Sequence, residues 1–247
     1  MAARPRASVR TAVVWDVLRE ALDRFDAAVQ PLRVVDAGGG SGGFAVPLAQ
    51  LGHDVTVVDP SPDSLAALER RAAETGTVER VHAVQGDAAG LVDIAGAGSV
   101  DLVLCHSVLE FVDDPALALG AVATVLRPGG VASILAANRV AAVVARVAAG
   151  RLAEARRLLE DPTGWAGDGD PLVRRFGIDE LHQLVHAAGL TPRLTHGVRV
   201  FADVVPPALV DGDPDAAGEL LALEHSAADR AEFLAVATQL HVLAERG

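Results

Sequence analysis

The chain contains no lysine and no tyrosine, one cysteine, one methionine and only 3% aromatic residues among its 247. All 21 of its Lys and Arg positions are therefore arginine, and with alanine and valine abundant throughout we read this as nucleotide-composition bias that says little about function. A single thiol excludes an intrachain disulfide framework. Cys105 ends the apolar run from Val100, where a packed core thiol outranks a nucleophile, and an intracellular setting is expected. No apolar run approaches the ~20 residues of a membrane span, and the basic stretch Met1 to Arg10 is not followed by an apolar segment of signal-peptide type. The expectation is a soluble, cytoplasmic protein with no membrane partner.

The net charge of −12 argues at first against a polyanionic partner. Its distribution is uneven. Arg139, Arg146, Arg151, Arg156 and Arg157 share their segment with one acid, Glu154, whereas Asp203 to Glu232 carries eight acids against Arg230. The basic segment reads either as a solvated helical face or as a nucleic-acid patch. If the segment is one helix, Arg139, Arg146 and Arg157 fall close to one face.

What is present begins with Val34-Val35-Asp36-Ala37-Gly38-Gly39-Gly40-Ser41-Gly42-Gly43, an apolar strand, an acid and a glycine turn. Residues without a Cβ let a strand turn sharply into a helix while the backbone approaches a ligand. Gly38, Gly40 and Gly43 also satisfy the G-x-G-x-x-G spacing of a dinucleotide loop, so the glycines alone leave a nicotinamide dehydrogenase open. A second strand, Val55 to Val58, ends in Asp59 some twenty residues past the turn, where an acid binds a ribose diol in doubly wound folds. Further strands lead to Gln85-Gly86-Asp87-Ala88 and to His106-Ser107-Val108-Leu109-Glu110-Phe111-Val112. Leu126-Arg127-Pro128-Gly129-Gly130 then stops a helix and launches Val131 to Ala137.

Helices are expected over 8–29, 41–51, 63–74 and 115–126, alternating with the strands as a parallel doubly wound sheet requires. Val140 to Glu160 reads helical and 161–170 reads as a turn-rich loop. A helix over 178–188, a sixth strand over 194–201, an acidic helix over 215–229 and a last strand over 235–243 complete the expectation. The domain reading is a single unit, 1–247, with an N-terminal helical segment over 8–30 and a helical insertion or lid over 138–176.

The ordered series DAGGGSG, VVDPS, GDA, LVLCHSVLEFV and LRPGG resembles the class I S-adenosylmethionine-dependent methyltransferases. It is most similar to the bacterial tRNA 5-carboxymethoxyuridine methyltransferases, from Val9-Arg10 and Trp15 through Asn138 and Gly197-Val198-Arg199-Val200-Phe201 to Leu223-Glu224 and Leu240-His241-Val242. The resemblance implies a Rossmann-like α/β fold, a doubly wound seven-stranded sheet whose last strand is antiparallel. It implies S-adenosyl-L-methionine as cofactor and no metal. Tyr is usual in that family ahead of the position of Arg10, and this chain has none.

By the same resemblance the backbone at Gly38, Gly39 and Gly40 approaches the methionine part of the cofactor, and Asp36 orders the loop or reaches the amino group through water. Asp59 takes the ribose, Asp87 and Ala88 meet the adenine, and Arg10 pairs with the cofactor carboxylate as a planar fork. Asp59 and Asp87 read equally as helix caps, and Arg10 as a solvated tail charge. His106 faces the crevice as a cofactor or substrate contact, or stands as a structural histidine. No catalytic base is evident. A carboxylate acceptor needs none, being ionised already near neutral pH. Arg199 and Arg139, beside Asn138, are the substrate-binding candidates. The expected partner is a modified wobble uridine of tRNA, and the alternative is a small-molecule acceptor under a lid formed by 140–170.

Overall fold

The computed structural model describes residues 9–25, 31–210 and 213–247. Seven strands form one sheet: β1 (Arg33–Ala37), β2 (Asp54–Asp59), β3 (Val81–Gln85), β4 (Val100–His106), β5 (Leu126–Ala137), β6 (Leu190–Val198) and β7 (Gln239–Arg246), in the order β3-β2-β1-β4-β5-β7-β6. The first five run parallel, and β7 inserts antiparallel between β5 and β6. The expected fold class is the observed one. β4 is apolar almost throughout and buried on both faces until His106, the pattern of a central parallel strand with helices on either side.

Alternate residues of β1 face different cores. Val34 joins Leu102, Leu104 and Leu135 beneath α1 (Ala12–Leu22), α2 (Ala45–Gln50) and α3 (Pro62–Thr75). Val35 and Ala37 join Val103, Cys105 and Ile134, packed by α4 (Leu91–Ala95), α5 (Pro115–Val125) and α8 (Ile178–Ala187). Cys105 is fully buried, and burial pushes its thiol up to about 12, which leaves it inert at neutral pH.

Local sequence explains the helix starts. Ser61 and Asp114 accept backbone N–H bonds at the N-termini of α3 and α5, each followed by proline in the first turn. Asn138 does the same for α6 (Arg139–Ala148).

Several expected boundaries move. Helix α1 covers only Ala12–Leu22 of the expected 8–29. Residue 8 and residues 26–30 lie outside the described residues. α2 begins at Ala45 instead of 41 because the glycine turn continues through Gly42, held at φ 79°. The expected helix over 140–160 is two, α6 and α7 (Leu152–Glu160), broken at Gly150 with φ 72°. β5 starts at Leu126, so Arg127 to Gly130 form an irregular strand lead-in and not a turn before it. β6 starts directly after α8, at Leu190, and stops at Val198 because Arg199 turns left-handed at φ 60°. The acidic helix, α9, is Pro214–Ala227. β7 begins at Gln239, four residues late, since α10 (Ala231–Leu234) and a turn occupy its expected start.

Candidate active site

All five parallel strands end on one edge of the sheet, and there a cavity of about 500 Å³ opens between the loops that follow β1, β2, β3 and β4. Gly38, Asp59, Asp87, Ala88 and Ser107 line it with polar groups, while Val108, Phe111, Val112 and Leu117 supply an apolar wall. Phe111 and Leu117 are more than half exposed, a flat apolar surface open to a planar ligand. The crevice beyond the carboxyl ends of the strands is where open α/β sheets bind ligands.

The glycine turn is tied to β2. Gly38 N–H donates to Val58 O at 2.7 Å, and Gly40 N–H donates to Asp59 Oδ2 at 2.9 Å. Gly38 sits at φ 69° against the Val108 side chain, and a Cβ on Gly39 would stand 2.5 Å from the Asp36 carboxyl. The two positions accept no side chain, so the loop lies low over Asp36. That carboxyl is buried beneath it and pushed up to about 7, first by burial and then by the charge of Asp59.

Asp59 Oδ1 also accepts from Ser61 N–H at 2.9 Å. Each Asp59 oxygen therefore holds one protein bond and keeps lone-pair capacity toward the cavity, which suits a diol. Asp87 lines the cavity while its Oδ1 accepts from Ala89 and Gly90 N–H, so both readings of that residue meet in one side chain. The donor and acceptor set, the glycine cradle and the apolar wall fit an adenosyl cofactor with an amino-acid tail.

His106 ends β4 in the partly buried layer between this cavity and α1. Its ring meets Phe44 edge-on at 4.7 Å, and Phe44 stacks on Trp15 at 4.9 Å. His106 Nε2 bonds Ser133 Oγ at 2.8 Å, and Ser133 Oγ bonds His241 Nε2 at 2.7 Å. A polar chain thus crosses from β4 to β7. Burial holds His106 at about 3 and His241 well below the ordinary histidine range, so both are neutral imidazoles at neutral pH. His106 Nδ1 is buried and has no protein partner.

The ends of β5, β7 and β6 extend the edge away from the cavity. Ala137 pairs with Gln239, and Gln239 with Val198, so Arg199 stands at the far end of the row. Arg199 O accepts from Thr238 N–H, and the neighbouring Gln239 donates Nε2–H to Ser107 Oγ at 3.1 Å on the cavity wall. Ser107 and Arg199 are the only non-glycine residues with left-handed φ among the described residues, at 55° and 60°. Such strain persists where the surroundings over-determine it and clusters at ligand sites. At Arg199 the determinant is Glu224, fully buried, whose carboxylate accepts the N–H groups of Val200, Phe201 and Ala202 at 2.7–2.9 Å.

Arg199 Nη2 contacts Asp203 Oδ2 at 2.5 Å, and Arg10 Nη2 approaches Asp203 Oδ1 at 3.5 Å. Arg10 is not among the residues lining the cavity; it stands beside Arg199 through their shared carboxylate.

The basic segment is corrected by the structure. Arg139 bonds Glu180, Pro162 O and Arg175 O; Arg146 pairs with Glu154 and Asp170; Arg151 and Arg156 pair with Glu154 and Glu160. With Gly150 breaking the helix, Arg139, Arg146 and Arg157 share no single helical face. Asn138 is 2% exposed and its side chain is spent on structure: Nδ2 donates to Leu234, Ala235 and Ala237 carbonyls and Oδ1 caps α6. The side chains of Arg139 and Asn138 are thus both bonded to the framework. Asp203 and Gln239 were not singled out from the sequence, and Ser107 and Glu224 entered only as members of the motifs His106-Ser107-Val108 and Leu223-Glu224, without a role.

The fold and this site define a cofactor-binding methyltransferase, and comparison with known proteins agrees. The family described as "Methyltransferase domain" matches residues 35–134. A ubiquinone biosynthesis O-methyltransferase of Methylocella silvestris is 32% identical over 197 residues, 74% of this chain and 70% of that protein. The tRNA 5-carboxymethoxyuridine methyltransferase of Escherichia coli K12 is 36% identical over 138 residues, 54% of this chain and 50% of its own length. The chain thus spans about half the length of that relative. A solved S-adenosylmethionine-dependent methyltransferase from Mesorhizobium loti superposes with a TM-score of 0.60 at 20% identity, covering 97% of this chain and all of that one. The chain belongs to the S-adenosylmethionine-dependent methyltransferases.

Proposed function

We propose that the protein transfers a methyl group to an acceptor that arrives already ionised, the carboxylate of 5-carboxymethoxyuridine at the wobble position of a tRNA. The observation that carries this reading is the chemistry of the acceptor side: a guanidinium held in a strained, braced conformation and an imidazole too weakly basic to remove a proton at neutral pH. The cofactor, when bound, supplies an electrophilic methyl on a sulfonium.

The chain's own residues then do three things. Asp59 and the glycine turn bind and orient the cofactor through its ribose and methionine ends. Arg199 holds the acceptor's carboxylate by a planar two-point contact, leaving its attacking oxygen in line. Neutral His106, with Phe44 and Trp15 packed behind it, adds no positive charge to repel the sulfonium. The tRNA relative, 36% identical over 138 residues, supports the same acceptor.

A second reading, a small-molecule oxygen acceptor, is favoured by two observations. The ubiquinone-pathway relative matches more of the chain, and Arg139 and Arg146 of α6 are spent on internal pairs and not left for phosphates. The experiment is single-turnover transfer from labelled cofactor to an anticodon stem–loop bearing the unmethylated carboxymethoxy group. Label on the nucleoside is expected, and Arg199→Ala should lower the transfer rate more than stem–loop affinity. Failure of the wild-type protein to label the stem–loop, with transfer to a small phenolic acid instead, would overturn the tRNA reading.

A further inference from the structure

Among the described residues, Asp203 is the one carboxylate contacting both Arg10 and Arg199. Its grip on Arg199 is incomplete. It reaches Nη2 only, while Arg199 Nε is buried and has no partner. A planar fork is best satisfied side-on, by a carboxylate that takes Nε and Nη2 together. A buried donor left unmade is costly, so the present arrangement stores a demand for a second acceptor atom.

The parts around Asp203 differ in freedom. Val200, Phe201 and Ala202 are pinned by Glu224, which fixes Arg199 from the chain side. Arg10 precedes α1 in a turn, and its side chain is 60% exposed. Asp203 comes one residue after the pinned amides, with its side chain only 25% exposed.

We propose that Asp203 is a latch shared by the two binding sites: its carboxylate competes with the cofactor carboxylate for Arg10 and with the acceptor carboxylate for Arg199. The assignment of the two arginines rests on the function proposed above. Cofactor binding draws Arg10 away and leaves Asp203 with Arg199 as its remaining partner of the two, so the acceptor then takes Arg199 at the cost of an unpaired, largely buried carboxylate. Linkage requires the reverse as well: the acceptor weakens cofactor binding by the same factor. The coupling favours release of one ligand once the other is held.

The test is calorimetry with S-adenosylhomocysteine on wild type, Asp203→Asn and, as a control for net charge alone, Glu219→Gln on the exposed face of α9. Asp203→Asn should bind S-adenosylhomocysteine about two- to fivefold more tightly, the scale of one partly exposed ion pair, while Glu219→Gln is unchanged. The carboxymethoxy stem–loop should bind wild type less tightly with S-adenosylhomocysteine present than without, and Asp203→Asn should bind it equally in both. Thermal melting establishes that the variants fold. Unchanged or weaker S-adenosylhomocysteine binding by folded Asp203→Asn would overturn the latch, as would coupling that survives the substitution. Tighter S-adenosylhomocysteine binding with no stem–loop binding by any form would uphold the latch at Arg10 and overturn the acceptor reading.

Discussion

Single side chains here carry two duties at once. Asp59 ties the glycine turn to β2 through Gly40 N–H, caps the approach to α3 through Ser61 N–H, and keeps lone pairs for a ribose. Hydrogen bonds to a charged group are worth roughly 1.5–3 kcal/mol each, so Asp59→Ala should weaken S-adenosylhomocysteine binding at least about tenfold. Calorimetry with an unchanged far-ultraviolet spectrum checks this, and unaltered affinity would remove Asp59 from the site. The acid at the end of β2 was legible from spacing alone, because its neighbours in space are its neighbours in the motif. Asp203 and Glu224 were not. Their partners lie across loops, and no local pattern says that an acid 24 residues downstream will pin the amides after Arg199.

At the scale of elements, what was legible followed caps and strand alternation. Ser61-Pro62, Asp114-Pro115 and the apolar run of β4 fix their elements from within a few residues. What stayed open depended on long-range pairing. The basic segment read either as a solvated face or as a nucleic-acid patch because Glu180 and Asp170, which pair with Arg139 and Arg146, are distant in sequence. Asp170 illustrates the cost and its compensation: burial pushes its carboxyl up, yet the two-point contact with Arg175 at 2.6 and 2.7 Å, with Ala166 N–H, holds it below the ordinary value. Asn138 joins three elements by its position, at the end of β5, the start of α6 and the turn before β7. Losing its cap costs about 1 kcal/mol and the released carbonyls more, so Asn138→Ala should destabilise the fold by about 2–4 kcal/mol in urea denaturation. A purely substrate-facing asparagine would instead leave stability unchanged.

Across the whole molecule, the neutral histidines set a pH limit. His106 is held at about 3, and His241, His196 and His53 are all lowered, burial being the first cause in each. Unfolded histidine takes a proton near 6.5, so below that pH the unfolded chain binds more protons than the folded one and stability falls with pH toward about 3. Asp36 works the other way. Its folded value of about 7 lies above the ordinary 3.8, so its contribution is full in acid and is lost as pH rises through 7. The two opposed slopes place the broad optimum between about pH 6 and 7. Urea midpoints at pH 4.5, 5.5 and 6.5 should rise steadily, and a flat series would show that the histidine chain is hydrated and free to titrate.

The insertion of β7 between β5 and β6 carries a consequence in time as well as in space. β5 gains its outer neighbour, and β6 its place in the sheet, only through β7, the last strand in the chain. A ribosome therefore releases a nearly finished cofactor half, strands β1 to β5, well before Arg199 has a sheet to stand on. During synthesis the outer edge of β5 stays unpaired until β7 arrives, an open strand edge of the kind that invites mispairing.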